Sequence, residues 1–225
     1  MSAFGGEFRA RDLDLVLSTG MAVGLPFVCG GLLDLTGGAA AGLVLYYVVC
    51  CVLVVLWRKG TLDYRRPVHR PWGLFAATLL IPIAIAAINW GALPRLVAPA
   101  WGVALTAVIW APLNGFLEQL SWLYVLDSWR NRWTAGRMRV VGLAVGIVLL
   151  VVLVTLIHLL FWGRFLPLAA ANPWSWAGIP LNLLLTAGYV LLYYRSRSMW
   201  PTFIVHTLVD LQLVLIAGYS LIPKL

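Results

Sequence analysis

Seven apolar stretches, at about residues 13 to 33, 39 to 57, 72 to 90, 98 to 126, 140 to 163, 177 to 194 and 199 to 222, fill most of the chain. Each is close to the roughly 20 residues a helix needs to cross about 30 Å of hydrocarbon. In lipid the backbone must satisfy its own hydrogen bonds, which a helix does within one segment. The expected fold is therefore all-α, a polytopic transmembrane helical bundle of about seven spans with short connections. Residues 1–225 read as a single membrane-embedded domain. With 62% apolar and 11% charged residues, the chain has too few charges to coat a soluble globule. The first stretch is too long for a secretory h-region and lacks a clear small-residue cleavage site, so it is expected to remain as an uncleaved span.

The net charge of +8 does not point to nucleic acid, because the basic residues sit between the apolar stretches. Taken in alternate connections, thirteen of the 16 lysines and arginines fall on one side and Arg95, Arg164 and Lys224 on the other. The positive-inside rule then predicts a cytoplasmic N-terminus and an outside C-terminus in the cell (inner) membrane, with lipid headgroups as partners. Trp57, Trp72, Trp101, Trp133, Trp162, Trp174, Trp176 and Trp200 lie near the expected span ends, where indole rings favour the interface. Cys29, Cys50 and Cys51 all fall in apolar stretches and are expected to be small core residues without disulfides.

Four side chains are out of place in such spans. Glu7, Asp12, Asp14, Asp34, Asp63 and Asp127 are expected in loops or at helix ends, but Glu118 and Asp210 lie well inside spans, with His158 and His206. A charge at the helix centre costs about 2.5–3.5 kcal/mol on the insertion scale, so each marks a candidate site. His206 and Asp210, four residues apart, share one helical face. They could orient one another for chemistry, or simply hold helices together as buried polar pairs do.

The stretch from Gly188 to Asp210, with Ser198-Met-Trp-Pro-Thr-Phe-Ile-Val-His206-Thr-Leu-Val-Asp210 at its end, resembles the C-terminal motif of the CAAX-protease and bacteriocin-processing (CPBP, or Abi-type) family of intramembrane proteases. That motif has a Ser-Leu-Trp-Pro-like lead-in followed by His-x-x-x-Asn/Asp. The family's first motif, Asn-Gly-x-x-Glu-Glu-x-x-Trp-Arg-Gly, is similar to Asn114-Gly-Phe-Leu-Glu118-Gln-Leu-Ser-Trp122-Leu-Tyr124, with Gln119, Leu123 and Tyr124 departing from it. The second, Phe-x-x-x-His, falls on Val154-Thr-Leu-Ile-His158.

The resemblance implies a protease-like core at about 98–222 and a membrane-associated protein or peptide as substrate. Glu118 would activate water, His206 and Asp210 would stabilise the oxyanion, and His158 would position water or substrate. It leaves two mechanisms open: a metal-free glutamate protease, or His158 and His206 with a carboxylate holding a divalent ion such as Zn²⁺. Without the motif's arginine, orientation of Glu118 falls to other groups. Two further readings stay open, a catalytically silent homologue that binds membrane partners and a proton-coupled transporter using the buried carboxylates.

A common site requires Glu118 within roughly 3 to 6 Å of His206. Helical rise puts His206 about 10 Å in from the turn near Met199, but His158 about 28 Å from Arg139. Either the fifth span projects past the bilayer or His158 lies away from the site. His69 sits in a basic loop and cannot replace it.

Overall fold

The computed structural model describes residues 8–93, 95–165 and 175–222; Glu7, Trp174 and Lys224 lie outside them. Among the described residues there is no strand, and seven long helices follow one another. They are α1 (Asp12–Thr36), α2 (Ala40–Lys59), α3 (Trp72–Ala92), α4 (Ala100–Arg130), α5 (Gly136–Trp162), α6 (Ser175–Ser196) and α7 (Trp200–Ala217). They correspond one to one to the seven apolar stretches. Six of them, all but α6, are long and apolar enough to cross a membrane. In α6, whose 22 residues would span about 33 Å, the side chains are described only from Pro180 onward, so there are six candidate crossings by length and apolarity where the sequence suggests seven. The outer surface is apolar, with Val16, Phe27, Ile83, Val108, Val148 and Leu215 each more than half exposed, as lipid-facing positions require.

The central element is α4. From Leu117 to Ser128 every residue is buried, and the helix packs against α1, α2, α5 and α7. Its sequence explains this position, since Gly115 lets α7 come close. A Cβ at residue 115 would lie 2.8 Å from the backbone nitrogen of Thr207, so only glycine permits this crossing, as small residues do between membrane helices. On the other side Gly142 and Gly146 of α5 sit against the backbone carbonyls of Trp129 and Leu126.

Three helices widen locally into π turns: Val44–Val54 in α2, Thr106–Trp110 in α4 and His158–Trp162 in α5. The second precedes Pro112, whose missing N–H and bulky ring break the regular ladder. Each wide segment carries side chains that line the central cavity or reach Glu118, consistent with the concentration of such turns at functional sites.

Three of the acidic residues expected in loops or at helix ends lie there and are also buried. Asp14 pairs with Arg58 at 2.8 Å and accepts from the Tyr124 hydroxyl at 2.9 Å. Asp127 and Asp63 share the ammonium of Lys59, at 3.0 and 3.4 Å. Arg58 and Lys59 therefore do more than set topology: they neutralise carboxylates that the packed ends of α1, α2 and α4 would otherwise strand without water. The three cysteines are buried and unpaired.

Past the αL glycine that ends α2 (Gly60, φ 73°), the connection to α3 runs largely over the surface but is anchored inward by the buried Asp63 and the half-buried Tyr64. Met199 N donates to Asp63 O at 3.1 Å, Val68 N to Ser196 O at 2.9 Å, and the Tyr64 hydroxyl to Phe116 O at 2.5 Å. The turn that starts α7 is thereby held against the middle of α4, near Leu120 and Leu123.

Candidate active site

The inward faces of α4, α5, α6 and α7 enclose a cavity of about 120 Å³, enough for several water molecules. Glu118, His158, His206 and Asp210, the four residues singled out in the sequence, all line it. The Glu118 side chain is 1% exposed. Its Oε2 lies 3.4 Å from Nε2 of His206, and the same nitrogen lies 3.7 Å from Oδ2 of Asp210. The i,i+4 spacing of His206 and Asp210 aims both at one point, and the Gly115 crossing brings Glu118 there from α4.

Among the described residues no arginine is paired with Glu118. Its carboxylate is held instead by neutral donors: Trp162 Nε1 at 2.7 Å and the Tyr46 hydroxyl at 3.0 Å on Oε1, and Asn114 Nδ2 at 3.3 Å on Oε2. These donors are fixed in turn. Tyr46 accepts from Trp122 Nε1 at 3.0 Å, and the Tyr47 hydroxyl donates to Asn114 Oδ1 at 2.5 Å. The Asn114 amide also bonds Asp210 Oδ2 at 2.8 Å, so one side chain bridges both carboxylates. Trp162, expected at the interface, is buried beside Glu118 because the π turn after His158 swings it inward.

Gln119, which replaces the motif's second glutamate, lies next to His206. Its Oε1 is 3.3 Å from His206 Nδ1, and its Nε2 donates to the Tyr64 hydroxyl at 3.2 Å. Burial pushes the Tyr64 pKa up, so the hydroxyl remains neutral and keeps its donor bond to Phe116 O. A relay of hydrogen bonds thus runs from the α2–α3 connection through Gln119 to the imidazole. The ring of His206 also belongs to an aromatic cluster, stacked on Tyr189 at 5.3 Å and tilted against Trp122 at 5.5 Å.

His158 joins the cavity from α5, with Nδ1 2.7 Å from the Val154 carbonyl, which can only accept, so that Nδ1 carries the hydrogen. Only its Nε2 is left for a partner. The donor set does not fit a divalent ion. Among the described residues no three His, Cys, Asp or Glu side chains are grouped to hold a metal, Glu118 is already ringed by N–H and O–H donors, and both nitrogens of His206 face oxygens. The metal-holding alternative left open for His158 and His206 therefore finds no cage among the described residues.

Tyr46, Tyr47, Trp162 and Tyr189 were not foreseen from the sequence. Asn114 was quoted only as part of a motif. Compared with protein-family models, with curated proteins and with solved structures, the chain gives no match.

Proposed function

We propose that this protein is an intramembrane endopeptidase of the CPBP type, hydrolysing a peptide bond of a membrane-associated protein with water activated by Glu118. The observation that carries this reading is the meeting of Glu118 and His206 at 3.4 Å on the wall of a cavity inside an apolar bundle. Burying an acid beside an imidazole, with a cavity for water next to them, costs stability that bundle packing alone does not require.

In this mechanism a water in the cavity gives a proton to Glu118 as its oxygen attacks the substrate carbonyl carbon. The carbonyl electrons move onto oxygen, where the Nε2–H of His206 stabilises the charge. Collapse breaks the C–N bond, and Glu118 returns its proton to the departing amine. An ionised carboxylate only accepts hydrogen bonds, so Asp210 serves by orienting His206 and Asn114 rather than by touching the oxyanion. His158 Nε2 is free to hold the water or substrate. The neutral donors Trp162, Tyr46 and Asn114 do the orienting that an arginine does in the motif this chain resembles. The topology consistent with this reading has seven crossings, the basic end cytoplasmic, and the substrate reaching the cavity from within the bilayer.

The test is cleavage of fluorophore–quencher membrane peptides by reconstituted wild type, Glu118→Gln and His206→Gln. Glu118→Gln keeps shape while removing the base and should lower turnover by about 10²–10⁴-fold in a folded protein. No cleavage by wild type would favour a silent homologue, and cleavage indifferent to Glu118→Gln would remove this mechanism.

A further inference from the structure

Two polar groups in the cavity wall have no role in holding Glu118. Among the described residues the Tyr189 hydroxyl, on a residue only 3% exposed, has no hydrogen-bond partner, yet its residue lines the cavity and its ring stacks on His206 with an interplanar angle of 20°. The Asn182 side chain also lines the cavity. Among the described residues its amide makes no hydrogen bond, only its backbone carbonyl accepting from Thr186. Both residues belong to α6, with the buried Leu185 between them on the same wall.

Seven residues apart, Asn182 and Tyr189 stand on one face of α6 two turns apart. Their separation along the axis is about 10.5 Å, the length of about three residues of extended chain. A peptide drawn out along α6 could meet both groups with backbone carbonyls or N–H groups while an apolar side chain rests on Leu185. A peptide in the hydrocarbon region has no water for these groups, so the wall must supply their partners. Helix α6 packs mainly on α3 and α7 and only narrowly on α5, and Asn182, Leu185 and Tyr189 line the cavity from it.

Resting on the hydrolase reading above, we infer that the Asn182–Leu185–Tyr189 face of α6 is the docking edge for an extended peptide substrate. Tyr189 is then a catalytic residue, its hydroxyl donating to the carbonyl oxygen under attack beside His206 Nε2. Asn182 binds the backbone about three residues away and takes no part in chemistry.

The experiment uses the full chain in lipid nanodiscs and one probe, a fluorophore–quencher peptide with a 20-residue Leu/Ala/Gly span bearing a photoreactive leucine. Crosslinked sites are mapped by mass spectrometry, and cleavage is followed by fluorescence. Tyr189→Phe keeps the ring on His206, so folding should survive, and kcat should fall about 10²-fold with KM little changed. Asn182→Ala should raise KM about 5- to 10-fold and leave kcat near wild type. Crosslinks should fall on residues 182–189 and weaken in Asn182→Ala. Crosslinking to α6 without cleavage in any variant would leave the docking edge standing and remove the hydrolase. Cleavage indifferent to both substitutions, or crosslinks confined to other helices, would overturn the docking edge while hydrolysis stands. Neither crosslink nor cleavage would overturn both.

Discussion

Nε1 of Trp162 lies 2.7 Å from Oε1 of Glu118, the shortest contact that carboxylate makes, and it ties α5 to α4 across the floor of the cavity. The carboxylate is thus oriented by an indole where the related motif uses a guanidinium. Trp162→Phe removes the N–H and keeps most of the ring, so it should destabilise the protein by about 1.5–3 kcal/mol, the worth of a hydrogen bond to a charged group. In a Glu118→Gln background the same change should cost less, because the acceptor is then a neutral amide. Thermal unfolding of the four proteins in detergent measures the cycle. Equal losses in both backgrounds would mean that the indole contributes bulk and not its hydrogen.

The second prediction concerns the crossing that assembles the site. A methyl at Gly115 meets the Thr207 backbone at 2.8 Å, and backbone cannot swing aside as a flexible side chain can. Gly115→Ala should cost about 1–3 kcal/mol through overpacking and should reduce turnover as His206 and Asp210 are pushed from Glu118. Gly20→Ala is the control, since nothing lies within 4 Å of a Cβ there. The prediction fails if both variants melt and cleave alike.

Orientation provides a third. Arg132, after α4, and Arg95, between α3 and α4, lie at opposite ends of α4, and the partition of basic residues predicts that Arg132 faces the cytoplasm. Single cysteines at these positions in an otherwise cysteine-free chain should behave oppositely toward an impermeant maleimide in intact cells: position 95 labelled, position 132 protected. Removal of Cys29, Cys50 and Cys51 loses no disulfide, since all three are unpaired. Labelling at 132 alone would invert the bundle.

What could be read in the sequence follows the cost of burying each side chain. Glu118, His158, His206 and Asp210 stand out because a charged or titratable group in an apolar span carries a large penalty, and all four do line one cavity. Tyr46, Tyr47, Trp162 and Tyr189 gave no such signal, because amphipathic aromatics are ordinary in membrane helices. Nothing in their spacing shows which hydroxyl or indole faces inward, and the π turns that decide it are not predicted by a 3.6-residue period. Helix rise, which gives distance along one element only, leaves open whether His158 joins the other three; it does line the cavity with them. Asp14, Asp63 and Asp127 looked peripheral because they neighbour basic residues, and that neighbourhood is what makes their burial tolerable.

The last prediction turns on Leu123, which stands where the CPBP motif carries its arginine. The side chain is 2% exposed and, with Lys59, Asp63 and Met199, borders a void of about 10 Å³, far smaller than a guanidinium. Lys59 already occupies the neighbourhood as a buried cation, 3.0 Å from Asp127 and 3.4 Å from Asp63. An arginine introduced at 123 would meet a like charge whose carboxylates are taken, and would overfill the core. Leu123→Arg should therefore destabilise by about 1–3 kcal/mol or more and should not raise activity, even combined with Gln119→Glu. Lys59→Met should also be harmful, by about 3–5 kcal/mol, because it leaves Asp63 and Asp127 without their shared ammonium. The two together should be milder than their sum, since the new guanidinium gains both the space and the carboxylates that Lys59 vacates. Melting curves and peptide cleavage for the two single variants and the pair decide it. A Leu123→Arg protein as stable as wild type and faster in cleavage would mean that the site lacks a cation that Trp162, Tyr46 and Asn114 do not replace.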